Sequence, residues 1–254
     1  MDKNIQKGLL PNGLRDSLSP EAFQEREIVS SMMKVFDEYG YDSVRPPLLE
    51  FEESLLKGPG GALGDQMFRL MDPISHKMMA IRADITPQIS RIASTRLKGS
   101  ARPLRLSYSG PVLTVSGSEL RPDREITQVG IELIGSKSLK ADAEIITVTA
   151  AALKLVGLEE ISFDLSLPQL VPQICESLKF EPAIISDIRE ILNRKDEGSI
   201  NSLEYLDNES KKMLTGLLRA SGYAEIAIQE IGKLSLPPVV NSIILELEKL
   251  IENI

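Results

Sequence analysis

The chain has 254 residues, 42% hydrophobic and 26% charged, which suits a globular protein with one large domain or a core with a smaller appendage. No apolar run approaches the roughly 20 residues that cross a bilayer, and residues 1–10 lack the apolar run of a signal peptide, so the chain reads as cytoplasmic. A net charge of -8 argues against nucleic acid as the main partner, and the lone Cys175 and lone His76 exclude an internal disulfide, a cysteine zinc cluster and a multi-histidine metal site.

Ser19-Pro20-Glu21 reads as a helix start, with Ser19 as N-cap and Pro20 at the first helical position. Ile28, Met32, Val35 and Phe36 form its apolar stripe, and Gly40 is a typical residue just past its end. A short extended piece, 41–45, runs into Pro46-Pro47. Lys57-Gly58-Pro59-Gly60-Gly61 lacks the Gly-Lys-Ser/Thr ending of a P-loop and reads as a flexible surface turn. Residues 66–71 and 77–82 read as two hairpin strands, with His76 as a solvated residue of the turn between them. Thr86-Pro87 opens a helix with Thr86 as cap. Residues 102–115 and 125–134 read as strands separated by a Gly/Ser/Pro-rich stretch, 141–155 as an apolar helix and 161–165 as a strand. From 168 onward only helical segments follow: 169–178, with Cys175 as inert packing, then 183–192, 200–206, 210–220 and 238–254. The predicted division is therefore a sheet core over 1–167 and a helical unit over 168–254.

Three stretches carry a specific pattern. The first is Leu10-Pro11-Asn12-Gly13-Leu14-Arg15-Asp16, then the helix, then Gly40-Tyr41-Asp42-Ser43-Val44-Arg45-Pro46-Pro47. The second is Ile81-Arg82-Ala83-Asp84-Ile85-Thr86-Pro87-Gln88. There Asp84 and Thr86 either cap the next helix or offer a carboxylate and a hydroxyl to a ligand ammonium, which must be paired when it leaves water. The third runs from Tyr108-Ser109-Gly110-Pro111 to Gln128-Val129-Gly130-Ile131-Glu132. On a strand, Gln128 and Glu132 share a face.

Together these stretches resemble the class II aminoacyl-tRNA synthetase core of the histidyl branch, over nearly the whole chain. The first is similar to motif 1, a homodimer interface in that family, and the third to motif 2. The second, with Asp84, Ile85 and Pro87 where synthetases carry Glu, Gly and Ala, is similar to the regulatory subunits of ATP phosphoribosyltransferase. The resemblance implies an α+β fold: an antiparallel sheet flanked by helices, with a helical insertion unit. It also implies histidine binding by Asp84, Thr86, Gln128 and Glu132. By spacing, the resemblance implies that Thr114 stands where active enzymes hold a phosphate-clamping arginine, that Ser116 replaces an acidic ATP contact, and that Pro122 replaces a second arginine. A developing phosphoryl charge needs preorganised cations, which Thr and Pro cannot supply.

No catalytic residue, metal or cofactor is expected. The family's motif 3 segment has no counterpart before Ile254, so the chain reads as a fragment of a longer protein. The implied function is non-catalytic: the subunit is required for activity of the short-form catalytic subunit of ATP phosphoribosyltransferase, with histidine as feedback effector and a second copy of the chain as partner. Two alternatives stand beside it, an active histidyl-tRNA synthetase and a synthetase-like paralogue serving another partner.

Overall fold

Helix α1 (Glu21–Glu38) buries Val35 and Phe36, as the stripe requires, but its start differs from the expectation. Pro20 holds the N-cap position and no side chain caps the first turn. The Ala22 amide, which a Ser19 hydroxyl would have served, donates instead to the Leu18 carbonyl at 2.9 Å. The C-terminal end is as read. Gly40 takes φ 78°, and the Gly40 and Tyr41 amides return to the carbonyls of Asp37 and Phe36, both at 3.0 Å. This reversal drops Tyr41 into the core at 2% exposure.

The computed structural model describes residues 9–254, so the reading of the extreme N-terminus lies outside the described residues. The chain divides into two compact units, the first ending at Ile161 and the second covering Ser162–Ile254. In the first, strand β1 (Asp42–Ser43) leads through Pro46-Pro47 to β2 (Leu49–Phe51) and the short helix α2 (Glu52–Leu55). The glycine-rich stretch after it winds into 3-10 turns over Gly58–Gln66 rather than a free loop. The hairpin forms as β3 (Arg69–Met71) and β4 (Met78–Ile81), and β4 lies between β2 and β3 in one antiparallel sheet. His76, at φ 56°, sits in its turn, where the Asp72 carboxylate accepts from the Ile74 and Ser75 amides.

Helix α3 (Thr86–Ser94) precedes strands β5 (Leu104–Leu113) and β6 (Glu125–Ile134), which pair antiparallel along their whole length. β1 joins β5 on its other edge in parallel, the one departure from an antiparallel core among the described strands. On one face of this sheet, α1 and α4 (Leu139–Leu155) pack Val35, Phe36, Tyr41, Val148 and Ala152 with Val129 and Ile131. On the other, Ile85, Ile89 and Ala93 meet Leu104, Leu106, Tyr108 and Val112. Ile85 and Ile89 are wholly buried, and each contributes about 1.5–3 kcal/mol by leaving water.

Two expectations about the first unit and its end are corrected. Thr86 is not the cap of α3; Ile85 occupies that position, and the Thr86 amide is taken by Asp84. Residues 161–165 form no strand. Their alternating Ile161, Phe163 and Leu165 meet no pairing edge among the described residues, and Phe163 and Leu165 stay 39% exposed.

Helices make up the regular structure of the second unit among its described residues: α5 (Leu170–Ser177), α6 (Pro182–Asn193), α7 (Glu197–Ser202), α8 (Asn208–Arg219), α9 (Ala224–Gly232) and α10 (Asn241–Glu252). Helix α7 begins earlier than its apolar residues indicated because Asp196 caps it, accepting from the Ser199 amide at 2.9 Å; Asp207 caps α8 in the same way at 2.7 Å. Helix α9 was not legible at all. Cys175 is buried among Ile188, Ile200, Leu206 and Leu214, and burial pushes its thiol up to about 11, which keeps it protonated and inert. No helix among the described residues is long and apolar enough to cross a membrane.

Arg105 of β5 grips Glu144 of α4 through Nε at 2.6 Å and Nη2 at 2.7 Å, and the Tyr41 hydroxyl donates to the same carboxylate at 3.0 Å. These donors, Arg105 first, hold the Glu144 carboxyl below the ordinary 4.5. The pair is partly solvated, so Glu144→Gln should cost about 1 kcal/mol at neutral pH. A depressed carboxyl stabilises above its ordinary value and loses that contribution as pH falls through its folded value. Denaturant midpoints of wild type and Glu144→Gln should therefore differ at pH 7 and converge in acid.

Candidate functional site

The face of β6 turned away from α1 carries Gln128, Gly130 and Glu132, and β5 places Gly110, Tyr108 and Leu106 directly opposite them. The turn between β4 and α3 brings Asp84 and Thr86 to the same place. The Gln128 side chain ties the two parts together: its Nε2 donates to Asp84 Oδ1 at 2.8 Å, and its Oε1 accepts from the Ile85 amide at 2.9 Å. Asp84 Oδ1 also accepts from the Thr86 amide at 2.9 Å. The cap-like role and the ligand role thus meet in one side chain: Oδ1 is engaged, while Oδ2 accepts from no described donor.

Glu132 stands on the other side of this cluster. The Thr86 and Tyr108 hydroxyls are 3.2 Å apart, and the Tyr108 hydroxyl points to Glu132 Oε1 at 3.5 Å, the long limit of a hydrogen bond. All four residues proposed from the sequence are brought together, and each is half-buried. Burial pushes the Glu132 carboxyl above its ordinary 4.5, and the Asp84 charge adds to that, against the pull of the Thr86 and Tyr108 hydroxyls. Neither carboxylate makes an ion pair among the described residues.

Sequence reasoning did not assign two residues of this site. Tyr108, 4% exposed, joins Thr86 to Glu132, and burial first pushes its hydroxyl up to about 12, so it remains a donor. Gly130 is its counterpart. A Cβ there would lie 2.5 Å from the Tyr108 hydroxyl oxygen, so only glycine lets the phenol cross onto β6. The signal was present as Gly at the centre of a strand, facing Tyr in the partner strand.

Beyond Gly110 the strands open toward the positions the resemblance linked to phosphate. Thr114 donates its amide to the Arg124 carbonyl at 2.8 Å, and Pro122 lies in the loop between β5 and β6. Arg124 makes contacts within the protein. Its guanidinium lies over the Phe68 ring at 4.8 Å, and it donates to the carbonyls of Thr114 at 3.3 Å and Asn12 at 3.1 Å. Arg121 closes a tight turn with Ser118.

Comparison with known proteins places this arrangement. A family model described as histidyl-tRNA synthetase matches residues 13–254. The ATP phosphoribosyltransferase regulatory subunit of Paramagnetospirillum magneticum is 47% identical over 238 residues, 94% of this chain and 62% of that protein. The one from Rhodospirillum centenum is 46% identical over 231 residues, 91% and 59% of the two chains. This chain therefore spans about three fifths of the length of these relatives. A crystal structure from Bacillus halodurans, described as an ATP phosphoribosyltransferase regulatory subunit/histidyl-tRNA synthetase, superposes with a TM-score of 0.83 at 28% identity, covering 97% of this chain and 64% of that one. Histidyl-tRNA synthetase from Nostoc, at 19% identity and a TM-score of 0.72, shares the fold. The chain belongs to the histidyl-tRNA synthetase family and is similar to ATP phosphoribosyltransferase regulatory subunits.

The raised Glu132 carboxyl has a measurable consequence for stability. A carboxyl whose folded value lies above its unfolded one destabilises the fold when ionised, and the penalty disappears as pH falls through the folded value toward 4.5. Glu132→Gln removes that charge. Its thermal midpoint should equal or exceed that of wild type by about 1–3 °C at pH 7, and the gap should close on acidification. Thermal unfolding of both proteins across that range checks the sign.

Proposed function

We propose that this member of the family is the effector-sensing part of a non-catalytic regulatory subunit, which binds histidine and conveys its level to the short-form catalytic subunit of ATP phosphoribosyltransferase in the first step of histidine biosynthesis. One observation carries the reading: Asp84 and Glu132 converge in one half-buried site whose other members, Thr86, Tyr108 and Gln128, are neutral. Two carboxylates without a basic partner favour a ligand that brings cationic or donating groups at both ends. Histidine does so. Its ammonium fits the free Oδ2 of Asp84 beside the Thr86 hydroxyl, and its ring N–H fits Glu132 beside Tyr108. Gln128, fixed at both ends, keeps the first of these carboxylates in place.

The reading also includes the absence of adenylation. Thr114 and Pro122 stand where the resemblance puts phosphate-binding arginines, and Arg124 is engaged with carbonyls and a phenyl ring. Regulation is then a coupling free energy between the histidine site and the catalytic partner, typically about 1–3 kcal/mol. The names of the relatives support the choice of partner. Self-association through α1 fits the exposed Phe23 and Ile28 on that helix and the open groove of about 760 Å³ between it and β6.

Calorimetric titration with L-histidine tests the reading. Wild type should bind, and Asp84→Asn and Glu132→Gln should each lose about 2–5 kcal/mol, the cost of removing one side of a charge-assisted contact in a desolvated pocket. Binding should also weaken in acid as Glu132 becomes protonated. Equal affinity in all three proteins would overturn the site, and histidine-dependent ATP–pyrophosphate exchange would overturn the non-catalytic role. Mixed with the short-form catalytic subunit, the protein should co-elute with it and raise its turnover.

A further inference from the structure

Arg82 is 4% exposed and has no carboxylate within hydrogen-bond reach among the described residues. Its guanidinium donates through Nε to the Pro111 carbonyl at 2.8 Å, and through Nη1 to the Pro46 carbonyl at 3.1 Å and Gln88 Oε1 at 3.3 Å. Gln88 passes the contact on, donating to the Pro47 carbonyl at 2.7 Å and to Glu50 at 2.9 Å. The backbone of Arg82 is held from both sides as well. Its amide donates to the Leu48 carbonyl at 3.2 Å, and its carbonyl accepts from the Leu113 amide at 3.0 Å. One residue at the end of the β2-β4-β3 sheet thus fastens that sheet to the C-terminal end of β5, the middle strand of the other sheet.

The place of this fastening is informative. Asp84 lies two residues beyond Arg82, and Pro111 lies next to Gly110, which faces Gln128 across the ladder. Gln128 in turn reaches back to Asp84 at 2.8 Å. These steps close a ring: Arg82 to β5, β5 to β6 by register, Gln128 to Asp84, and Asp84 to Arg82 along the chain. Gly110 is open because Arg82 fills the space, since a Cβ there would lie 2.4 Å from Nη2.

We propose that Arg82 is a positioning residue for the effector site, setting the turn that carries Asp84 at the height where Gln128 can hold it. It touches no ligand. A guanidinium is needed because its fixed fork serves several carbonyl and amide oxygens at once, which a lysine ammonium on a flexible stem does not reproduce. The placement of Asp84 against Gln128 stands on the geometry alone; that the placed carboxylate meets a histidine ammonium rests on the reading above.

Two amides report the placement without any ligand: Ile85, which donates to Gln128, and Thr86, which donates to Asp84. In Arg82→Lys, hydrogen exchange at these two amides should accelerate by about tenfold or more beyond any change at Leu106 and Glu132 in the β5–β6 ladder, the loss of roughly one net hydrogen bond. Gly110→Ala, which displaces Nη2 and keeps the arginine, should give the same local pattern and serves if the lysine variant folds poorly. Unchanged exchange at Ile85 and Thr86, or an acceleration equal to that of the ladder, would overturn the proposal. Titrating the same samples with L-histidine separates the two ideas. Failure of the wild type to bind would sink the effector reading, while the exchange pattern still decides the role of Arg82.

Discussion

The site depends on the register of one antiparallel ladder. Ten residues of β5 pair with ten of β6, from Leu104 with Ile134 to Leu113 with Glu125, and Tyr108 faces Gly130 near the middle. A slip of one residue would send Gln128 and Glu132 to the α1 face and bring Val129 and Ile131 to the site. It would also set a side chain against the Tyr108 phenol. Two contacts make the observed register the favourable one: the apolar packing of Val129 and Ile131 under α1 and α4, and the single gap at Gly130. The ladder thus fixes both the core and the spacing of the polar groups.

Within that frame the carboxylates of the first unit fall into two kinds. Glu144 is held by Arg105, and Glu50 by Arg91, each through two guanidinium nitrogens. Such pairs lower the cost of partial burial and tie elements together. Asp84 and Glu132 are treated differently, surrounded by hydroxyls and an amide that orient them without neutralising them. Burial raises the Glu132 carboxyl for this reason. An ionised group kept half-buried without a counter-charge costs stability, and such costs cluster at functional sites.

Much of this was legible in the sequence, and the failures have physical causes. The α1 stripe, the Gly40 stop, the hairpin and the two long strands follow from periodicity and turn chemistry, because their burial is local to each element. The shared face of Gln128 and Glu132 follows from the two-residue period of a strand. What joins them to Asp84 does not, since the Gln128 bridge spans 44 residues of chain. Ser19 and Thr86 misled as caps because nearby backbone carbonyls took the amides first, that of Leu18 in one case and that of Ile85 in the other. Residues 161–165 have the alternation of a strand, but alternation does not supply a neighbour to pair with. Tyr108 and Gly130 were each visible as residues; only the register makes them a pair.

The β5–β6 loop turns the Arg124 side chain back onto the protein. Gly13 approaches so closely that a Cβ would lie 2.6 Å from the Pro122 carbonyl oxygen, and its own carbonyl accepts from the Arg124 amide at 2.7 Å. The Arg124 side chain completes this clasp, with one face on Phe68 and donors on two backbone carbonyls. Moving the guanidinium would leave those two carbonyls without their arginine donor, which costs free energy. One arginine thus joins the N-terminal segment to the loop. At the other end of the ladder the carboxylates keep their open valences. This asymmetry along one pair of strands, an arginine engaged with backbone at the loop end and carboxylates without an ion pair toward the other, supports the proposed reading of the site as a sensor.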